Sequence, residues 1–226
     1  MSMPFYVAPE QVMKDRADYA QKGIARGRSL LTLEFDGGIV MCAENPSRNL
    51  RKISEIYDRI AFAGVGKYNE YDQLRIAGIR HADTKGYTYS RDDVDAQALA
   101  NQYAQILGQI FTHEMKPLEV EILVVAVGHE ADGNRQFHIR YDGSVTDEYG
   151  FAALGGDAEA IRERLAAVDR SDLDLGGAVQ AAVAALAGPE RTLEADALEI
   201  AVLDRRDTGR CFRRLENGEI TAALGA

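Results

Sequence analysis

The chain has 226 residues, a formal net charge of -10 and a sequence pI near 4.9. Hydrophobic residues make up 46% and charged residues 27%, the balance of a globular protein long enough to bury a core without disulfide or metal. The acidity argues against nucleic-acid phosphates as partners, and no apolar run approaches the ~18 residues of a membrane span.

The basic pairs Arg205-Arg206 and Arg213-Arg214 lie among acidic neighbours and form no stripe. Cys42 and Cys211 have no second Cys or His at ligand spacing, so both are expected to act as small buried hydrophobes, and a reducing cytoplasm is the expected compartment. No metal or cofactor is predicted.

The first eight residues, Met1, Ser2, Met3, Pro4, Phe5, Tyr6, Val7 and Ala8, are mostly apolar and follow neither a helical nor a strand period. Such a segment needs something to pack against. Pro9 and Glu10 then open a helix, because proline costs nothing at the first helical position and a carboxylate suits the dipole there. Met13, Ala17, Ala20 and Ile24 form one narrow apolar stripe on an otherwise charged helix, which predicts packing on a neighbour.

From Ser29 the period changes to two. Leu31, Leu33 and Phe35 alternate, Asp36-Gly37-Gly38 turns, and Ile39–Ala43 returns, a hairpin pattern. A second strand pair is predicted over Lys52–Glu55 and Tyr57–Ala63. Two helices follow, over Gly66–Ala82 and Asp93–Met115; the second carries Leu99, Tyr103, Ile106, Leu107, Ile110 and Phe111 at helical spacing, and Pro117 ends it. Strands resume at Val120–Val127 and Phe137–Tyr141, then at Val145–Leu154 after an Asp142-Gly143 turn. Gly155-Gly156-Asp157 predicts a tight turn with Asp157 as N-cap. Two helices, one around Ile161, Leu165 and Val168 and one over Leu175–Leu186, precede strands at Leu198–Leu203 and Cys211–Leu215, with a further return after Asn217-Gly218.

Strand groups separated by helix pairs predict an α+β fold: a four-layer α-β-β-α sandwich of two mainly antiparallel sheets, with an extra N-terminal helix. With no linker or low-complexity segment, residues 1–226 read as one domain. The four histidines, His81, His113, His129 and His138, show no i, i+4 pair and are expected at surfaces or helix ends. Gly64-Val65-Gly66 lacks the Lys-Ser/Thr ending of a phosphate loop.

This order of elements, with the stretch Tyr6-Val7-Ala8-Pro9-Glu10 running through Tyr19-Ala20-Gln21-Lys22-Gly23-Ile24 to Gly27-Arg28-Ser29, resembles the α-type proteasome subunits of the actinobacterial kind, in the N-terminal-nucleophile hydrolase superfamily. Arg51-Lys52-Ile53-Ser54-Glu55-Ile56-Tyr57-Asp58-Arg59-Ile60-Ala61-Phe62-Ala63-Gly64 resembles the second strand pair of that family. The resemblance covers nearly the whole chain. It implies a catalytically silent subunit that forms a heptameric ring with other α subunits, stacks on proteasome β subunits and receives the C-termini of a ring-shaped regulatory ATPase.

Catalytic relatives release a threonine at the start of the first strand, and its α-amine activates its hydroxyl. Here that junction reads Gly27-Arg28-Ser29, and Arg28 has no nucleophilic atom. Glu44 and Lys52 fall where catalytic relatives carry an acidic residue and a lysine. Glu44 is expected to be structural. The resemblance assigns Lys52 to an intersubunit pocket that captures the C-terminal carboxylate of a docking activator. It assigns residues 1–8 to a gate, and Pro9 and Tyr19 to gate support. The archaeal Tyr-Asp pair before the helix is absent, so a gate closed by apolar packing of Pro4, Phe5 and Val7 is expected instead. Two other readings stay open at this point: a self-standing or β-like hydrolase, and a generic α/β scaffold.

Overall fold

A computed structural model describes residues 8–47, 49–170, 172–206 and 209–225. Among the described residues, ten strands form two five-stranded antiparallel sheets. The first sheet comprises β1 (Leu30–Phe35), β2 (Gly38–Glu44), β8 (Phe151–Leu154), β9 (Leu198–Asp204) and β10 (Phe212–Arg214), in the order β10-β9-β2-β1-β8. The second comprises β3 (Ile53–Tyr57), β4 (Ile60–Gly66), β5 (Val120–Ala126), β6 (Arg135–Ile139) and β7 (Val145–Glu148), in sequential order.

Period-two patterning assigns the faces. Leu30, Ile39, Met41 and Ala43 of the first sheet meet Ala61, Ala63, Val65, Leu123 and Val125 of the second. Leu31, Leu33, Val40 and Cys42 point the other way, onto α4 (Ala158–Ala166), α5 (Leu175–Ala187) and α6 (Asn217–Leu224). Phe62, Ile122, Val124, Phe137 and Ile139 face α2 (Tyr68–Thr88) and α3 (Ala96–His113). The strands are therefore buried on both faces, which is why β2, β4 and β5 read as nearly continuous apolar runs. The predicted four-layer sandwich is the observed one. Cys42 and Cys211 are both buried, and burial pushes the Cys42 thiol up to about 12, so it stays protonated.

The extra helix, α1 (Pro9–Ala25), contributes Ala20 and Ile24 to the inter-sheet core, with Ala17 packed against it. The stripe that predicted a foreign partner is thus mostly covered by the chain's own sheets, and the large apolar residues left exposed on this helix are Val12, Met13 and Tyr19.

Three further expectations need correction. Val145–Leu154 is two strands in different sheets: β7 pairs with β6, β8 pairs with β1, and Tyr149-Gly150 carries the chain across. Gly150 makes the crossing with φ +76°, a conformation that costs a side-chain-bearing residue ~1 kcal/mol or more. The segment after Asn217-Gly218 is the helix α6, not a returning strand. Glu219 accepts a hydrogen bond from the Glu216 amide (2.9 Å), a capping box that stabilises the helix start, and Ile220 is buried beneath it. His138 is buried rather than superficial. It lies on the inter-sheet side of β6, with Nε2 3.3 Å from Glu121 and Nδ1 3.7 Å from Glu148; Glu148 also takes two hydrogen bonds from Arg162 of α4 (2.7 and 2.9 Å). Burial alone would lower the His138 pKa, but the two carboxylates outweigh it and raise it.

The second layer of helices depends on one tight fit. Tyr103 of α3 is fully buried, and its hydroxyl lies where a Cβ on Gly78 of α2 would stand (1.8 Å). The hydroxyl has no hydrogen-bond partner, so its position reflects packing alone. Gly78→Ala is therefore expected to destabilise the fold by about 1–3 kcal/mol, because overpacking outweighs the ~1 kcal/mol of improved helix propensity. Adding Tyr103→Phe should recover most of the loss. Urea unfolding of the single and double variants checks both statements.

Candidate functional site at the start of the first strand

The sequence-predicted residues fall into two groups, and the first surrounds the junction between α1 and β1. Lys52 precedes β3, and its ammonium donates a hydrogen bond to the main-chain carbonyl of Arg28. Arg28 in turn holds Glu44 (2.9 Å), and the other oxygen of Glu44 pairs with Arg191 (3.1 Å). Glu44 is thus a structural link between the junction and the segment after α5, as expected. The Ser29 hydroxyl is buried and accepts a hydrogen bond from the Asp157 amide (3.3 Å). Asp157 stands at the N-cap of α4 as predicted, but its side chain makes no capping bond there.

Glu199 of β9 fixes the place of Lys52. Its carboxylate is fully buried and accepts from the backbone amides of Lys52 (2.9 Å) and Ile53 (3.2 Å), from Asn45 Nδ2 (2.6 Å) and from Arg214. Arg214 also donates to the Ile53 carbonyl (2.8 Å). A buried carboxylate is tolerable only with this many donors. Each donor is also tied to its own element, so the start of β3 is pinned to the opposite sheet. Sequence reasoning did not single out Glu199; a charge inside the apolar run Leu198–Leu203 was the available signal, and Arg214, fifteen residues on, carries no such mark.

The Lys52 ammonium is half-buried. Burial lowers its pKa to about 8; Glu199 and Glu44 work against the shift, and Arg28 adds to it. The Arg28 carbonyl takes one of the three N–H donors. An ammonium on a flexible stem, poised near neutrality and incompletely coordinated, suits capture of a carboxylate.

The second group lies on the outer half of α1. Pro9 is the first helical residue after Ala8, which is extended (φ -61°, ψ 137°). Of the residues expected to form a gate, Met1, Ser2, Met3, Pro4, Phe5, Tyr6 and Val7 lie outside the described residues. Tyr19 is 46% exposed; its hydroxyl is 3.5 Å from Glu119, and the Lys116 ammonium lies 5.6 Å from its ring centroid. A shallow groove of about 630 Å³ runs beside it, lined by Val12, Arg16, Tyr19, Met115 and Pro117. Sequence reasoning did not single out Glu119 or Lys116. Two charges flanking Pro117 at the mouth of a buried strand were the available signal.

Comparison with known proteins gives the family. The family described as Proteasome subunit matches residues 24–203. The chain is 62% identical to the proteasome subunit alpha of Acidimicrobium ferrooxidans over 225 residues, covering 100% of this chain and 97% of the relative. It is 54% identical to the proteasome subunit alpha of Xylanimonas cellulosilytica over 237 residues (100% and 97% covered) and 55% identical to that of Thermomonospora curvata over 226 residues (99% and 98%).

Removing the buried carboxylate tests the anchoring of the site. Glu199→Ala leaves Arg214 and two amides without their partner and is expected to cost about 3–5 kcal/mol. Urea unfolding measures it, and a loss below ~1 kcal/mol would show that the start of β3 is held by other means.

Proposed function

This chain belongs to the proteasome subunit family, and we propose that it acts there as a non-catalytic α-ring subunit that gates the core particle and docks its activator. The observation that carries the reading is the junction of α1 with β1. Where catalytic relatives begin with a free threonine amine, this chain continues through the Arg28 carbonyl, bound by Lys52, into a helix seated by buried Ala20 and Ile24. A nucleophile of that kind needs a free terminus, and Arg28 supplies neither the amine nor a nucleophilic atom. Ser29 is engaged with the Asp157 amide on the far side. The apparatus that holds a nucleophile in catalytic relatives here holds a helix.

Freed from catalysis, Lys52 serves binding. In a closed ring each subunit presents one face to the next, and the resemblance puts Lys52 at that repeated seam. The C-terminal carboxylate of a ring-shaped ATPase matches an ammonium there, and contacts repeated around the ring multiply a weak affinity. Residues 1–8 precede α1, whose outer half leaves Val12 and Met13 exposed, and form the gate, with Pro9 and Tyr19 steadying its base. Assembly with β subunits and with further copies of this chain completes the particle, in the cytoplasm.

Three measurements test the reading. Light scattering of the chain co-expressed with its β-type partner should show a high-mass particle whose peptidase activity is absent from this chain alone. A monomer that stays monomeric with the β chain would overturn the ring. Deleting residues 2–8 should raise peptide hydrolysis by the assembled particle, and an unchanged rate would sink the gate. For docking, a bound carboxylate favours the ammonium form, so the complex keeps a proton that the free site loses above pH 8. Binding of a peptide with a free C-terminus should therefore weaken as pH rises through about 8, by up to about tenfold per unit. Lys52→Met should remove both the affinity and the slope, and an amidated peptide should show neither.

A further inference from the structure

Glu119 stands where three elements meet. Its Oε2 receives the ammonium groups of Lys67 (3.1 Å) and Lys116 (3.1 Å) and lies 3.5 Å from the Tyr19 hydroxyl. Its Oε1 lies against the bare backbone of Gly23, one helical turn beyond Tyr19; a Cβ there would come within 2.3 Å of that oxygen. Its amide donates to Glu70 Oε2 (2.7 Å), whose other oxygen binds Lys116 (2.7 Å). Two carboxylates and two ammonium groups thus form a closed, electrically neutral cluster, and α1 rests on it through Tyr19 and Gly23.

We infer that Glu119 is a positioning residue for the gate, acting through Tyr19 to set the tilt of α1 and hence the point from which residues 1–7 depart. The inference rests on the gating role proposed above. Deep burial seats only the inner half of α1, at Ala20 and Ile24. The Glu119 cluster engages that same half at Tyr19 and Gly23, beside the buried pair, and farther out Ala17 packs against the core and Arg16 donates to the Phe111 carbonyl (2.5 Å). From Tyr19 to Ala8 the helix extends about 16 Å, so a tilt of about 5° at the cluster displaces the start of the gate segment by more than ~1 Å. The carboxyl is also held in its charged form: burial pushes its pKa up, but the hydrogen bonds from Lys67 and Lys116 outweigh that and bring it below the usual range.

The test uses the assembled particle, with Glu119→Gln in this chain and, separately, Gly23→Ala. The first removes the charge and keeps the shape. The second leaves every charge in place, favours the helix and displaces the carboxylate. Hydrogen exchange of amides in the outer half of α1 should quicken about tenfold in both, equivalent to ~1.4 kcal/mol of local opening, while amides of β4 and β5 keep their protection. Peptide hydrolysis should rise toward that of the particle lacking residues 2–8, and neither substitution should add to that deletion. Unchanged exchange in α1 would overturn the positioning role whatever the peptidase rate. Faster exchange with unchanged hydrolysis, in particles where the deletion does raise hydrolysis, would overturn the link between tilt and gate. Should the deletion itself have no effect, the gate reading fails, and exchange alone still decides whether Glu119 sets the helix.

Discussion

Folding takes the carboxylate of Glu199 out of water, at a cost that only a full set of donors can offset. Those donors come from the segment after β2, from the first amides of β3 and from β10, so satisfying one charge brings both sheets into a single register. The apolar stack between the sheets is non-directional and would tolerate sliding; the carboxylate does not. Lys52 emerges from this anchored segment, and its ammonium meets the Arg28 carbonyl because β3 begins where Glu199 holds it. The electrostatics of the candidate docking site therefore descend from a buried structural residue.

The α1–β1 junction is defined by a few side chains. Lys52, Glu44 and the start of β1 converge there. With Arg28 at the junction and α1 continuous before it, the lysine coordinates a main-chain carbonyl and the acid pairs with two arginines. Function on such a fold resides in what the chain places at the end of one strand, not in the sandwich that presents it.

Periodicity exposed most of the architecture. The alternation in β1 and the stripe of Leu99, Tyr103 and Leu107 in α3 each bury one face in the layer they predicted. What escaped was information carried by partners distant in sequence. Val145–Leu154 has one unbroken strand composition, and only its pairing with β6 on one side and β1 on the other divides it. His138 follows the strand alternation, but its burial depends on carboxylates from β5 and β7. At the candidate site, Lys52 and Tyr19 were legible through motif resemblance, whereas Glu199 and Glu119 were not, because their roles arise from atoms gathered by the fold. Tyr19 also acquired a partner that no local pattern announces, a glutamate one hundred residues away.

The two sheets differ in how the ribosome delivers them. The second sheet is drawn from one uninterrupted stretch, residues 53–148, in which each strand pairs with its sequence neighbour. The first is split: β1 and β2 emerge early, but β8 and β9, which flank them, follow more than a hundred residues later. At about 5–20 residues per second that interval lasts roughly 5–20 s. Throughout it, the β1–β2 hairpin carries apolar surface on both faces and two unpaired edges, the combination most prone to pairing with another nascent chain. The polypeptide thus spends much of its synthesis with an aggregation-prone hairpin waiting for its own carboxyl-terminal half, a vulnerability set by strand order.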